Sequence, residues 1–244
     1  MIPRDNLTSV VLVGGQGTRI RHLLPDLPKP LAPVAGRPFV EWVLRYLRSQ
    51  GIARALLSTG YRADKIEEYA ASLAIEGLEV RCAREPTALG TAGGFLHALE
   101  RSGDRTGDAL ACNGDSLVLA PLGPLLRTLD DAAIDGALLA VRVTDAGRFG
   151  AVDADEQGRL RGFAEKRPGA GLVNGGVYLF RRTCIDRFPR GRPLSFEYDV
   201  FPALLAAGSR IRVVPCDAPF LDIGTEESLA QAGAFIRDNR EWFA

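Results

Sequence analysis

Three glycines and a cation follow an apolar segment near the start of the sequence, where residues 10–20 are VVLVGGQGTRI. Glycine lets the backbone approach a ligand closely, and exposed N–H groups in such a turn can bind phosphate oxygens. Arg19 could pair with the same oxygens through two parallel hydrogen bonds. The GK[ST] ending of a Walker A loop and the GxGxxG spacing are both missing. The pattern favours a phosphate-binding turn once Arg19 is included, whereas the glycines alone fit a structural turn equally well.

A second cation, Lys29, lies in the proline-rich segment LPDLPKPLAPVAGRP. Proline fixes its own φ and restricts the preceding residue, so this segment should be stiff and should not form a helix. A rigid loop could present Lys29 to the phosphates held by the glycine turn. The alternative is a solvated lysine on a proline-rich loop.

Two aspartates follow short apolar runs far apart in the chain, Asp115 in DALACNGDS and Asp222 in FLDIG. Carboxylates at the carboxyl ends of strands lie where α/β sheets bind ligands, and a pair of them can hold Mg²⁺ against phosphate oxygens. Each aspartate alone fits a turn residue as well as a metal ligand.

The elements that must position these residues alternate between strands and helices over the first 135 residues. Apolar runs predict strands at 8–13, 53–59, 78–83 and 109–113, and helical spacing predicts helices at 39–48, 63–73 and 92–99. This alternation predicts βαβ units with a mostly parallel sheet. Later segments are rich in strands and turns, which suggests a mixed extension, and helical patterns return at 198–207 and 226–239. We expect one continuous α/β domain over 1–244.

Composition excludes several partners. Lys plus Arg and Asp plus Glu both number 30, so the net charge is zero and nothing supports binding to nucleic acid or to a membrane surface. No apolar run reaches the ~18 residues of a membrane span, and the first residues are too polar for a signal peptide. The four cysteines are far apart and lie in apolar stretches, which favours buried free thiols and a cytoplasmic location.

The glycine and proline segments together resemble the sugar-1-phosphate nucleotidyltransferases, whose signature is GGxGTRL followed by PKP. Further segments match that family in order, over about residues 8 to 230: EPTALGTAGGF (85–95), NGDS (113–116), FAEKR (163–167), VNGGVYLF (173–180) and FLDIGTEES (220–228). The resemblance implies a Rossmann-like three-layer α/β/α fold, with a nucleotide-binding half near 1–135 and a sugar-phosphate-binding half near 136–244. Relatives often form dimers, so a homodimer is possible.

The resemblance also implies roles for individual residues. The catalytic set would be Arg19, Lys29 and Asp115, and the Mg²⁺ ligands would be Asp115 and Asp222. The nucleoside triphosphate would be bound by Leu12, Gly14, Gly15, Gly17, Thr18, Arg19, Glu85, Gly90, Thr91, Asn113 and Gly114, with Thr91 capping the following helix. The sugar phosphate would be bound by Gly150, Glu165, Lys166, Asn174 and Gly175. The nucleophile is a phosphate oxygen that is already an anion, so the reaction needs no activating base.

The nucleotide and the sugar are less sharply indicated. A Glu85 carboxylate facing the base would suit the N1–H and 2-amino donors of guanine, which favours GTP. Within the family, the chain looks most like the D-glycero-D-manno-heptose 1-phosphate guanylyltransferases. Mannose-1-phosphate guanylyltransferases and uridylyl-, thymidylyl- or cytidylyltransferases are the alternatives. A non-catalytic nucleotide-sugar sensor on the same fold is a hypothesis from a different class, and the retained charged residues argue against it.

Overall fold

The computed structural model describes residues 7–103, 107–147, 150–164 and 169–244, in which strands and helices alternate as expected. The strands are β1 (Thr8–Leu12), β2 (Pro33–Val34), β3 (Arg37–Pro38), β4 (Arg54–Thr59), β5 (Glu79–Arg84), β6 (Ala109–Asn113), β7 (Ser116–Val118), β8 (Gly136–Val143), β9 (Ala151–Ala154), β10 (Leu160–Ala164), β11 (Gly171–Phe180), β12 (Ile211–Cys216) and β13 (Phe220–Asp222). The α-helices are α1 (Phe39–Ser49), α2 (Ala63–Ser72), α3 (Gly90–Ser102), α4 (Gly123–Arg127), α5 (Arg182–Ile185), α6 (Phe201–Ala206) and α7 (Glu226–Asp238).

Within the described ranges, nine strands form one mixed sheet. Its main order is β5-β4-β1-β6-β11-β8-β12, and β9 and β10 extend from the first half of β11. Neighbouring strands from β5 to β6 are parallel, as are β8 and β12, whereas β11 is antiparallel to both β6 and β8. The expectation of a mostly parallel sheet with a mixed extension is confirmed.

Helices cover both faces of this sheet because apolar side chains on its strands point alternately to the two sides. Val10 belongs to a buried cluster that contains Phe95 of α3, and Val11 belongs to a second cluster that contains Leu44 of α1. The two clusters form the two interfaces of the predicted three-layer α/β/α arrangement. Both valines are fully buried, so β1 lies in the centre of the fold and its carboxyl end is held rigidly.

Three local expectations need correction. The helix expected at 198–207 is a π-helix (Phe196–Val200) followed by α6, and Pro202 occupies the first turn of α6, where its missing N–H costs nothing. Thr91 does not cap α3, because the helix already begins at Gly90 and the Thr91 hydroxyl accepts a hydrogen bond from the Phe196 N–H. Lys29 itself begins a single 3₁₀ turn, where a helix-free loop was expected.

The expectation of buried free thiols holds for Cys112 and Cys184, whereas Cys82 and Cys216 are only partly buried. All four cysteines are free, and burial raises the pKa of the Cys112 and Cys184 thiols to about 12 and of Cys82 and Cys216 to about 11. These thiols are therefore protonated at neutral pH and are poor nucleophiles. No helix in the described part of the chain is both long and apolar enough to cross a bilayer.

Candidate active site

An open cavity of about 510 Å³ lies at the carboxyl ends of β1 and β6. This is the edge where parallel α/β sheets bind ligands, since the loops that leave the strands converge there. The cavity is lined by thirteen residues that the sequence had singled out: Leu12, Gly14, Gly15, Gly17, Thr18, Arg19, Lys29, Glu85, Gly90, Thr91, Asn113, Asp115 and Asp222.

The glycine turn forms one wall of the cavity and closes over Lys29. Gly17 has φ +57°, a backbone conformation that residues with a side chain rarely adopt. A Cβ at this position would also lie 2.9 Å from the Cβ of Lys29, so the turn and the lysine are packed directly together. The Gly17 carbonyl accepts the Ile20 N–H, which closes the turn and leaves the Arg19 side chain exposed at the cavity rim.

Lys29 places its ammonium between the two predicted metal ligands. Its Nζ donates to Asp115 Oδ2 at 2.7 Å and lies 3.7 Å from Asp222 Oδ1. The lysine side chain is only 10% exposed, whereas the two carboxylates are about one-third exposed. The ammonium therefore lies against both carboxylates, whose oxygens remain partly exposed to solvent.

A two-stranded ribbon brings the two aspartates together although 106 residues separate them. Strand β13 pairs antiparallel with β7 so that Asp222 is opposite Ser116, and the Ile223 N–H donates to the Asp115 carbonyl at 3.0 Å. The Gly224 N–H donates to Asp222 Oδ1 at 2.5 Å, which fixes the orientation of that carboxylate. Burial, and then the nearby Asp115 carboxylate, raise the pKa of Asp222 above its usual range. An added positive charge would relieve this mutual repulsion.

Glu85 lines the cavity, but its two carboxylate oxygens are already engaged. Oε1 accepts the Ser58 hydroxyl at 2.9 Å, and Oε2 accepts the Leu89 N–H at 3.0 Å. The carboxylate is also packed closely, since a Cβ at Gly94 would lie 2.6 Å from Oε1. One lone pair remains on each oxygen, so Glu85 can still accept from a base edge while it ties the loop before α3 to the end of β4.

Several predicted residues lie outside the cavity. Gly114 is buried beneath β1, with its N–H donating to the Leu12 carbonyl at 3.0 Å. Gly175 is buried against Val118 and Leu139. Asn174 bonds to Gly150 through the backbone, from its N–H to the Gly150 carbonyl, and neither residue lines the cavity. Glu165 and Lys166 lie outside the described residues.

The cavity also contains residues that the sequence did not single out, Gln16, Ala88 and Gly224 among them. Gly224 supplies the N–H that orients Asp222, and a Cβ there would lie 3.3 Å from Lys29 Nζ. The sequence did offer a signal for Gly224, because this glycine directly follows the FLDI segment that contains Asp222. Ser58, which holds Glu85, gave no signal because it is the buried end of an ordinary apolar strand.

Comparison with known proteins agrees with this geometry. Residues 8–239 match the family described as Nucleotidyl transferase. The chain belongs to that family. The match covers nearly the whole sequence, so the glycine turn, the Lys29, Asp115 and Asp222 cluster and the β7–β13 ribbon all lie within the matched residues.

Individual nucleotidyl transferases with guanylyltransferase names are similar over most of this chain. The chain is 38% identical over 229 residues to the mannose-1-phosphate guanylyltransferase of Mycobacterium tuberculosis, covering 93% of this chain but only 63% of that relative. It is 31% identical to the D-glycero-alpha-D-manno-heptose 1-phosphate guanylyltransferase of Campylobacter jejuni, covering 91% and 96% of the two chains. The crystal structure of HddC from Yersinia pseudotuberculosis complexed with GMP-PN is 28% identical with a TM-score of 0.83, covering 93% and 98%.

Proposed function

We propose that this protein is a sugar-1-phosphate guanylyltransferase, which converts GTP and a sugar 1-phosphate to a GDP-sugar and pyrophosphate. The observation that carries the proposal is the cluster of Lys29, Asp115 and Asp222 beside the glycine turn. It supplies both signs of charge at one end of a cavity large enough for a nucleotide, in a chain of the nucleotidyl transferase family. The similarity to guanylyltransferases supports the choice of GTP.

The reaction needs alignment and charge neutralisation more than covalent chemistry. An oxygen of the sugar 1-phosphate attacks the α-phosphorus of GTP, the new P–O bond forms, and the bond to the bridging oxygen of the β-phosphate breaks. Pyrophosphate leaves with the electron pair, so no proton has to be removed from the nucleophile. In this scheme the amides of the glycine turn bind phosphate oxygens, and Arg19 and Lys29 neutralise the charge that develops on pyrophosphate.

The donor set at Asp115 and Asp222 fits a magnesium ion. Mg²⁺ is usually bound through one or two carboxylates together with substrate phosphates and water. No group of three or more acidic, histidine or cysteine side chains suited to a metal exists in the described ranges, so phosphate and water oxygens would complete the shell. The ion would draw charge from the α-phosphate oxygens and make the phosphorus more electrophilic.

Two candidate sugars follow from the relatives. D-glycero-D-manno-heptose 1-phosphate is the first, because the relatives with that name match this chain over 96% of their own length. Mannose 1-phosphate is the second, because a relative that is 38% identical to this chain carries that name. Both sugars have the manno arrangement of ring hydroxyls, so one pocket could accept either ring.

The experiment that tests the proposal is a matrix of GTP, UTP, dTTP and CTP against a panel of sugar 1-phosphates, with pyrophosphate release as the readout. We expect release with GTP and a manno-configured sugar 1-phosphate, and at least a 100-fold loss of turnover in Asp115→Asn with unchanged circular dichroism. A clear preference for UTP or dTTP would exclude a guanylyltransferase. Tight nucleotide binding without release for any pair would instead support the sensor hypothesis.

The four protonated free thiols support a reducing compartment, and we propose that the protein acts in the cytoplasm. Oxidants that cross-link exposed thiols should leave Cys112 and Cys184 unmodified in the folded protein, because both are buried.

A further inference from the structure

A polar cluster outside the cavity lining joins β11 to the π-helix. Asn174 Nδ2 donates to the Tyr178 hydroxyl at 2.7 Å and to Glu197 Oε1 at 2.5 Å, and Asn174 Oδ1 accepts the Gly176 N–H at 3.0 Å. A bulge in β11 makes this possible, since the register with β8 shifts between Asn174 and Tyr178. Glu197 comes from a segment, LSFEYDV, to which the proposed reaction assigns no role.

Two observations connect the cluster to the proposed active site. The Phe196 N–H donates to Thr91 Oγ1, and the Leu194 carbonyl accepts the Ala92 N–H, which fixes the start of the π-helix to the cavity wall. In addition, burial raises the pKa of the Tyr178 hydroxyl, and the Glu197 and Asp115 carboxylates raise it further against the opposing hydrogen bond from Asn174. The proposed metal ligand Asp115 is therefore close enough for its charge to act on the hydroxyl that bonds to Asn174.

The hydrogen-bond capacity of the cluster separates the roles of its members. A side-chain amide has two N–H donors, and both donors of Asn174 are used in hydrogen bonds to Tyr178 and Glu197. Its oxygen already accepts one hydrogen bond, so little remains for a ligand. Glu197 is half-buried, and its Oε2 accepts no hydrogen bond and meets no cation within the described ranges. A partly buried carboxylate with a vacant oxygen is a strong acceptor for hydroxyl donors.

We propose that Glu197 determines sugar specificity by accepting hydrogen bonds from ring hydroxyls of the sugar 1-phosphate, and that Asn174 positions Glu197. This inference rests on the proposed function, because it concerns the sugar of that same reaction. The negative charge of Glu197 also repels the sugar's phosphate, so the phosphate is directed towards the cationic side of the site and the hydroxyls towards Glu197. A carboxylate built to bind hydroxyls discriminates strongly against a sugar that lacks one of them.

The test is a comparison of Glu197→Ala with the wild type on mannose 1-phosphate and its 2-, 3- and 4-deoxy analogues. Calorimetry measures binding of each sugar phosphate, and kinetics measure kcat/KM. We expect Glu197→Ala to lose about 10- to 150-fold in affinity for mannose 1-phosphate while its KM for GTP stays unchanged. In the wild type, at least one deoxy analogue should bind more weakly than mannose 1-phosphate by a similar factor. In Glu197→Ala, the same analogue should bind less than about 3-fold more weakly than mannose 1-phosphate.

Two further variants separate recognition from folding. Glu197→Gln keeps the shape and one acceptor, so it should retain part of the affinity that Glu197→Ala loses. Tyr198→Ala is the matched control, because Tyr198 is the next residue on the π-helix and its side chain is 82% exposed. We expect wild-type binding and kinetics in this control.

Each outcome separates the inference from the proposed function. If the wild type releases pyrophosphate and Glu197→Ala retains its affinity for the sugar, the inference alone is wrong. If Glu197 had only a structural role, Glu197→Ala would weaken the binding of mannose 1-phosphate and of every deoxy analogue by the same factor. That result would also overturn the inference. Binding that depends on Glu197 without any turnover would support the inference and refute the proposed reaction. A wild type that binds no sugar 1-phosphate would overturn both.

Discussion

If Asp115 and Asp222 bind a divalent cation as we propose, the Lys29 ammonium competes with that cation for their oxygens, and its removal should increase metal affinity. Its ammonium lies 2.7 Å from Asp115 and 3.7 Å from Asp222 and is almost completely shielded from solvent. A divalent cation approaching the same carboxylates is repelled by this charge. We predict that Lys29→Met binds Mn²⁺ more tightly than the wild type in the absence of nucleotide, although it loses turnover because the phosphates lose a cation.

The size of this effect follows from the distances. With an effective dielectric constant of about 20, the gross attraction of Lys29 is about 6 kcal/mol for Asp115 and about 4.5 kcal/mol for Asp222. Desolvation of the buried ammonium offsets a large part of these values. A net effect of about 2–4 kcal/mol remains, which corresponds to about 30- to 900-fold in the affinity for Mn²⁺.

Titration of nucleotide-free protein with Mn²⁺, followed by electron paramagnetic resonance of the free ion, measures this affinity. Lys65→Met is the matched control, since it removes the same charge from α2, outside the cavity lining. The double variant Lys29→Met, Asp115→Asn should lose the gain, because one of the two carboxylates is then neutral. Equal Mn²⁺ affinity in the wild type and Lys29→Met would refute the reasoning that the lysine and the metal compete for one position.

Two further predictions concern stability. Gly17→Ala should lower the free energy of unfolding by about 1–3 kcal/mol and displace Lys29, because the φ of +57° and the 2.9 Å approach to the Lys29 Cβ both oppose a side chain. Gly15→Ala, where a Cβ would meet nothing within 4 Å, should change urea-unfolding stability by less than about 0.5 kcal/mol, and equal losses in the two variants would contradict this account. Glu41 is buried and desolvation raises its pKa, but hydrogen bonds from Tyr69 and Arg45 and the Arg37 charge outweigh this effect and hold the pKa below 4.5. A carboxyl group with a lowered pKa stabilises the fold at pH values above its usual pKa, and this contribution is lost as the pH falls through the lowered pKa. Glu41→Gln should therefore lower the free energy of unfolding by about 1–3 kcal/mol at pH 7 and by progressively less below pH 4.5. A loss of stability that does not change with pH would show that the charge of Glu41 is not the cause.

The regular elements could be predicted from the sequence because their signals are local. In α1, the spacing of Phe39, Val43, Tyr46 and Leu47 defined a face that the structure buries completely, and Gly51 follows the end of the helix with a φ of +82°. The π-helix could not be predicted, since Ser195 Oγ accepts the local Tyr198 N–H but the Phe196 N–H donates to Thr91 Oγ1, which is 105 positions away in the sequence. Thr91 was assigned to the wrong partner for the same reason: its hydroxyl finds a distant N–H that no local pattern reveals.

The sequence by itself determined that a glycine turn, a rigid lysine and two strand-end aspartates exist in a mostly parallel α/β chain of the nucleotidyl transferase type. Each of those features depends on residues within about ten positions, and backbone sterics and hydrophobic periodicity act over that range. Only the tertiary structure decided that Lys29 lies between Asp115 and Asp222, because the β7–β13 pairing joins segments more than 100 residues apart. Only the tertiary structure likewise decided that the Asn174 amide donates its hydrogen bonds to Tyr178 and Glu197. Hydrogen-bond capacity and charge position depend on which groups meet in space, and that is a property of the packed fold.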